Sequence, residues 1–210
     1  MNKQEFLNGQ IVLYNGDCLD VMRNLKDKEI DLVLTDPPYG INAGKGIGRS
    51  IVNNKNIIKS DWDDATPSQI IFDELFRCSK NQIIWGGNYF NLPPTRCMLF
   101  WFKPNVADRN FADGELAWTS FDKNIRRFEY SSTDLTRFHP TQKPVALMSW
   151  CLNNYSKEDD LIFDGFLGSG TTAIACIRNK RRLIGCELDN EYFDKMCKRI
   201  EEELRQGNLF

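Results

Sequence analysis

The chain has 210 residues, 41% of them hydrophobic, 27% charged and 12% aromatic, and it carries a net charge of −2. That balance excludes a disordered segment and a polyanion binder held by charge alone, and it suits a single α/β domain over 1–210 with a sizeable core. The longest apolar run, Cys97 to Phe102, is too short to cross a bilayer and the first residues show no signal-peptide pattern, so a cytoplasmic protein with no membrane partner is expected.

Ile11–Tyr14 reads as a strand, and Cys18, Val21, Met22 and Leu25 then fall at helical spacing behind a cap at Asp17. Ile30–Thr35 is a run of the buried-strand type. From Ile41 to Ser60 the chain carries Lys45, Arg49, Lys55 and Lys59 and no acid, which reads either as a solvated basic loop or as a nucleic-acid contact. Thr66-Pro67-Ser68-Gln69 has the pattern of a capping box with proline at the first helical position, opening a helix through Ser79. Gln82–Trp85, Arg96–Phe102 and Glu115–Phe121 read as strands, and Phe121 to Phe138 as a loop. Pro144 opens a helix to about Asn153, followed by a strand at Asp160–Phe163, a helix at Thr171–Asn179 and a strand at Arg182–Glu187. Phe193, Met196, Cys197, Ile200 and Leu204 mark one face of a last helix. Strands alternating with helices imply a doubly wound, mainly parallel sheet with helices on both faces and loop insertions at about 41–64 and 121–138. Seven cysteines with no C-x-x-C pair, beside one histidine, point to reduced thiols and no metal site.

Two segments carry chemistry. Asp164-Gly165-Phe166-Leu167-Gly168-Ser169-Gly170-Thr171-Thr172 stands between a strand and a helix. Gly168 and Gly170 let backbone approach a ligand closely, and the helix start aims free amides at an anion. Glu187, at the end of the next strand, is placed to accept both hydroxyls of a ribose. No lysine follows the second glycine, so a Walker loop is disfavoured. Asp36-Pro37-Pro38-Tyr39 follows a buried strand; its prolines have no N–H, so the strand mouth offers two acceptors, the Asp36 carboxylate and the Pro37 carbonyl. Accepting both hydrogens of an aromatic amine frees its lone pair for attack, and Tyr39 offers a face on which a flipped base stacks. Either segment alone also reads as a turn; together, with the acid downstream, they favour an enzyme.

Asn15-Gly16-Asp17-Cys18, Thr35 to Tyr39, Ile84 to Phe90, His139-Pro140-Thr141-Gln142-Lys143-Pro144, the glycine segment and Ile184 to Asp189 are similar to motifs of the S-adenosylmethionine-dependent DNA amino-methyltransferases. The catalytic motif precedes the cofactor motif, as in their permuted β group. The resemblance implies their seven-stranded sheet. It implies that Asp164 and Phe166 to Thr172, including Ser169 and Thr171, hold the methionine part of S-adenosylmethionine, that Glu187 holds the ribose, and that Asp17 and Cys18 hold the adenine ring. It implies that His139 to Lys143 close over the methionine carboxylate, with Lys143 as the cation, and that Asp36 borders the cofactor. The expected activity is site-specific transfer to the amino nitrogen of a flipped adenine in double-stranded DNA, in a restriction-modification setting. Cytosine N4 is the first alternative, and a silent cofactor- and DNA-binding module another. Two departures stand out: glycine at Gly165 where the family has proline, and a very short recognition region before His139. Base reading is accordingly assigned to Arg126 and Arg127, phosphate contact to Lys45, Arg49, Lys55 and Lys59, and a homodimer is one way to extend the recognition surface.

Overall fold

The computed structural model describes residues 1–41, 63–106, 112–133 and 138–207. Lys45, Arg49, Lys55 and Lys59 lie outside the described residues. The described strands are β1 (Asn2–Phe6), β2 (Ile11–Asn15), β3 (Ile30–Thr35), β4 (Ser79–Trp85), β5 (Met98–Phe102), β6 (Gly114–Thr119), β7 (Arg126–Glu129), β8 (Leu161–Asp164) and β9 (Arg182–Glu187). The helices are α1 (Cys18–Met22), α2 (Gln69–Cys78), α3 (Val145–Tyr155), α4 (Thr171–Arg178) and α5 (Asn190–Gly207).

All nine strands form one sheet in the order β1-β2-β9-β8-β3-β4-β6-β5-β7. The run β2-β9-β8-β3-β4 is parallel, whereas β6 is antiparallel to both β4 and β5. β3 sits at the centre because its side chains are apolar on both sides: Leu32 and Leu34 face one core, Val33 the other. One core holds α3, α4 and α5 through Leu147, Cys151, Ala173 and Met196; the other holds α1 and α2 through Met22, Phe72 and Leu75. The helices therefore cover both faces, as expected from the alternation of elements.

Pairing of Asn15 with Glu187, Asp164 with Gly185, and Val33 with Phe163 sets the carboxyl ends of β2, β9, β8 and β3 at one edge of the core. That register gathers the sequence motifs. Ligands of open parallel sheets bind at this edge.

The doubly wound sheet is extended by two edge strands that the sequence did not mark: β1, antiparallel to β2, and β7, parallel to β5 within the segment read as a loop. Both are edge strands whose residues are mostly exposed, so neither carries an apolar alternation. The Thr66 capping box does not form; Ser68 is the N-cap of α2 and makes no side-chain capping bond.

Candidate active site

β8 ends in Asp164, buried at the floor of a cavity along the carboxyl edge. Asp164 Oδ1 accepts from Thr35 Oγ1 at 2.7 Å and from the Phe166 amide at 3.0 Å. Burial raises its carboxyl to about 6, against the pull of the Thr172 and Thr35 hydroxyls and the Phe166 amide. The chain then turns through Gly168 and Gly170, both left-handed at φ 52° and 77°. A side chain at Gly170 would also strike Met196, so the turn into α4 requires glycine on two counts. Arg199 of α5 donates to the Ser169 carbonyl at 2.9 Å, and Thr171 Oγ1 donates to the Lys143 carbonyl at 3.0 Å. The loop is thus tied from behind, leaving its front to the cavity. Glycine at Gly165 has a packing reason: a Cβ there would lie 3.2 Å from Cys18 Cβ.

Glu187 ends β9 with both carboxylate oxygens engaged by backbone: Gly168 N–H donates to Oε2 at 2.7 Å and Asp189 N–H to Oε1 at 2.9 Å. Burial nevertheless raises the group to about 7. Each oxygen keeps a further lone pair for a hydroxyl.

Of the residues expected at the cofactor, Asp17, Cys18, Asp36, His139, Lys143, Asp164, Phe166, Gly168, Ser169, Thr171, Thr172 and Glu187 line this cavity; Gly170 stands behind it. Asp17 also caps α1, its carboxylate accepting from the Leu19 amide at 2.9 Å. Cys18 is buried and its thiol is pushed up to about 12, which keeps it neutral and makes it a wall rather than a nucleophile. Ile71 and Leu188 add to the apolar wall, and Tyr192 closes the His139 side; no motif in the sequence marks Ile71 or Tyr192. A paired-acceptor acid at one end, an apolar slot between, and hydroxyls at a helix start at the other end suit a nucleoside with a charged amino-acid tail.

The His139 ring packs tilted against Tyr192, with centroids 4.5 Å apart and planes 54° from parallel, and its Nδ1 accepts from the Thr141 amide at 3.3 Å. Burial, aided by the charge of Lys143, lowers its pKa to about 3, so it contributes no cation. Lys143 lines the same cavity and has two acidic partners. Its ammonium, 3% exposed, lies 2.5 Å from Asp36 Oδ2 and 2.8 Å from Glu115 Oε2. Burial alone would depress this ammonium, but Asp36 and Glu115 hold it above its ordinary value.

Asp36 is therefore engaged on both oxygens, since Tyr39 Oη donates to Oδ1 at 2.7 Å. The Tyr39 hydroxyl also lies 3.2 Å from Glu115 Oε2, and Lys103 pairs with the other oxygen of Glu115. Burial raises the Asp36 carboxyl, Lys143 opposes that rise and Glu115 adds to it. Pro37 is buried beside it and Pro38 faces the cavity. The Tyr39 ring is stacked on Tyr89, with centroids 4.8 Å apart and planes 11° from parallel. Gly86 makes room for that ring, because a Cβ there would overlap it. Tyr39 thus has a stacked partner of its own, and that partner, Tyr89, is 46% exposed. Glu115 and Lys103 carry no sequence signal, whereas Tyr89 lies in the Ile84 to Phe90 segment, whose glycine pair hints that something large packs there.

Arg126 and Arg127 are not brought to this mouth. β7 lies four strands from β3, about 19 Å at the usual strand spacing. Arg127 pairs with Glu129 at 2.5 Å and lies over the Phe102 ring, while the Arg126 charge acts on Tyr155 at the far end of α3.

The N6_N4_Mtase family model, described as DNA methylase, matches residues 82–198. The Type II methyltransferase M2.MboI of Moraxella bovis is 27% identical to this chain, with 90% of the chain and 87% of the relative aligned. The Type II methyltransferase M2.DpnII of Streptococcus pneumoniae is 26% identical, over 97% of the chain and 94% of the relative. The crystal structure of an M1.HpyAVI–SAM complex shares the fold at a TM-score of 0.61 and 24% identity, covering 90% of this chain and 98% of that one.

Proposed function

The chain belongs to the DNA methylase family, and from that premise we propose that it transfers a methyl group from S-adenosylmethionine to the N6 amino nitrogen of adenine in DNA. The observation that carries the reading is that Asp36 and Glu187 line one cavity. An acceptor for an amine and an acceptor for a ribose thus share a wall. Glu187 and Asp17 would hold the nucleoside end of the cofactor, with Cys18, Ile71 and Phe166 against its ring; Ser169, Thr171 and Thr172 would hold the amino-acid end. When bound, the cofactor supplies an electrophilic methyl group.

The chain's own residues act on the amine. Asp36 Oδ1 and the Pro37 carbonyl accept its two hydrogens, which draws the nitrogen toward tetrahedral and frees its lone pair. Asp36 then takes the proton that the nitrogen loses. Positioning supplies most of the acceleration, because the rigid ends of β3 and β8 fix acceptor and cofactor cavity relative to each other.

The reading includes double-stranded DNA as the substrate, a flipped target base, and phosphate contacts from Lys45, Arg49, Lys55 and Lys59, whose neutralisation would flatten the salt dependence of binding. It places the enzyme in the cytoplasm with its DNA; no described helix is long and apolar enough to cross a membrane. It includes a modification role beside a restriction activity, as the Type II relatives' names suggest, and a homodimer that sedimentation would detect. The deciding test is mass spectrometry of nucleosides from DNA incubated with the protein and methyl-labelled S-adenosylmethionine. N6-methyladenine is expected; N4-methylcytosine would replace adenine by cytosine, and no labelled base would leave a binding module.

A further inference from the structure

The Lys143 ammonium has three N–H donors and three oxygen neighbours: Asp36 Oδ2 at 2.5 Å, Glu115 Oε2 at 2.8 Å and Tyr39 Oη at 3.2 Å. Asp36 offers about four lone-pair sites over its two oxygens, of which Lys143 and Tyr39 occupy two. The sites that remain are the ones an incoming amine needs. The ammonium already touches Asp36 Oδ2, and without an opposing carboxylate the N–H that now points to Glu115 would turn to the remaining Asp36 lone pairs. Glu115 is that opposing carboxylate. It stands near the start of β6, the strand antiparallel to β4, and Lys103 binds its other oxygen, so its position is fixed from both sides. Lys143 and Lys103 overcome the burial of Glu115 and hold it at about 2, so it remains charged.

We propose that Glu115 is a positioning residue of the methyl transfer: by sharing Lys143 with Asp36, it keeps Asp36 lone pairs open to the target amine. This rests on the reading of Asp36 as the amine acceptor. Lys103 acts one step further out, by anchoring Glu115. The charged and titratable groups facing Asp36 are Lys143 from the segment before α3, Tyr39 from its own loop, Glu115 from β6 and Asp164 from β8. Glu115 and its anchor Lys103 both lie outside the cofactor cavity and carry opposite charges, so substituting each should move Asp36 in opposite directions.

The test is the titration of the Asp36 carboxyl by carbon NMR in the cofactor-free protein, together with the pH profile of kcat on duplex DNA. Glu115→Gln removes a like charge, so the Asp36 titration and the acid limb of kcat should move about one pH unit lower. Its kcat at pH 7.5 should fall about 10- to 100-fold, with the Kd for S-adenosylmethionine unchanged. Lys103→Met should move both titration and limb higher, and Glu115→Asp should restore most of the activity with the limb in place. An unmoved titration, or shifts of the same sign in the two variants, would overturn the proposal. A wild-type protein that methylates no DNA would instead remove the functional reading, and the NMR titration would still decide whether Glu115 and Asp36 share the ammonium.

Discussion

The Gly168 amide donates to Glu187 Oε2 at 2.7 Å, which ties the turn of the glycine loop to the acid at the end of the neighbouring strand. Loop and acid are therefore one unit. Whatever removes the charge of Glu187 loosens the loop and the ribose site together.

The cofactor's affinity should accordingly depend on pH. Glu187 titrates at about 7 in the free protein, and hydroxyl groups bind its anion better than its acid. Affinity for S-adenosylmethionine should rise as pH increases through 7. Glu187→Gln should be flat over the same range and weaker at pH 8, by roughly 1.5 to 3 kcal/mol for hydrogen bonds to a charged acceptor. Calorimetry from pH 6 to 8 measures both; a pH-independent wild type would place the ribose elsewhere.

The same carboxyls make the cofactor-free fold less stable as pH rises. Glu187 and Asp164 titrate at about 7 and 6 when folded, against ordinary values of 4.5 and 3.8. A raised acid contributes stability that is full below its unfolded pKa and is lost as pH climbs through its folded one. His139 runs the other way: its folded value of about 3 lies below 6.5, so its contribution is full above 6.5 and falls as pH drops. One carboxyl is thus offset over much of the range. The net expectation is a loss on the order of 2 kcal/mol between pH 4.5 and 7.5. Denaturant titrations at these two pH values, with and without S-adenosylmethionine, measure it; the cofactor should stabilise more at the higher pH.

Asp36→Asn keeps the shape of the acceptor but gives up its charge. Methylation should fall at least about 100-fold, the lower range of proton-transfer catalysis, while cofactor binding changes little. A filter assay with labelled cofactor and parallel calorimetry separate the two effects. Substantial turnover in Asp36→Asn would eliminate the carboxylate mechanism.

From sequence, Tyr39 offers a face for a stacked base and its hydroxyl has no assigned role. The structure gives the hydroxyl contacts to Asp36 and Glu115, so removing it should matter. Tyr39→Phe should lose activity partially and Tyr39→Ala further, the gap being the stacking worth about 1 to 3 kcal/mol. Equal losses in the two variants would mean that the ring contributes nothing beyond the hydroxyl.

What could be read from sequence was the inner sheet and the cofactor loop. Ile30–Thr35, Leu161–Asp164 and Arg182–Glu187 are buried on both faces, so composition alone marks them, and glycine with positive φ marks the turn between. β1 and β7 escaped because edge strands that face water need no pattern. Glu115 escaped for another reason. Its partners Lys143, Tyr39 and Lys103 come from three separate loops and strands, and only the antiparallel pairing of β6 with β4 and β5 brings them together. The pairing of Lys143 with Asp36 and Glu115 was hidden on the same ground, since which anions it meets is decided by distance.

The pairing of β2 with β9 also bears on how the chain reaches this state. Ile11–Asn15 can form a hairpin with β1 as soon as both are synthesised, but its inner neighbour is Arg182–Glu187. Ile30–Thr35 likewise waits for Leu161–Asp164 on one side. A nascent chain therefore leaves the ribosome with the centre of its sheet half-paired and its most apolar strands uncovered until Leu161–Asp164 and Arg182–Glu187 have emerged. Contacts so distant in sequence slow folding and prolong exposure to aggregation, so production of this protein should respond to chaperone supply and growth temperature more than its modest size suggests.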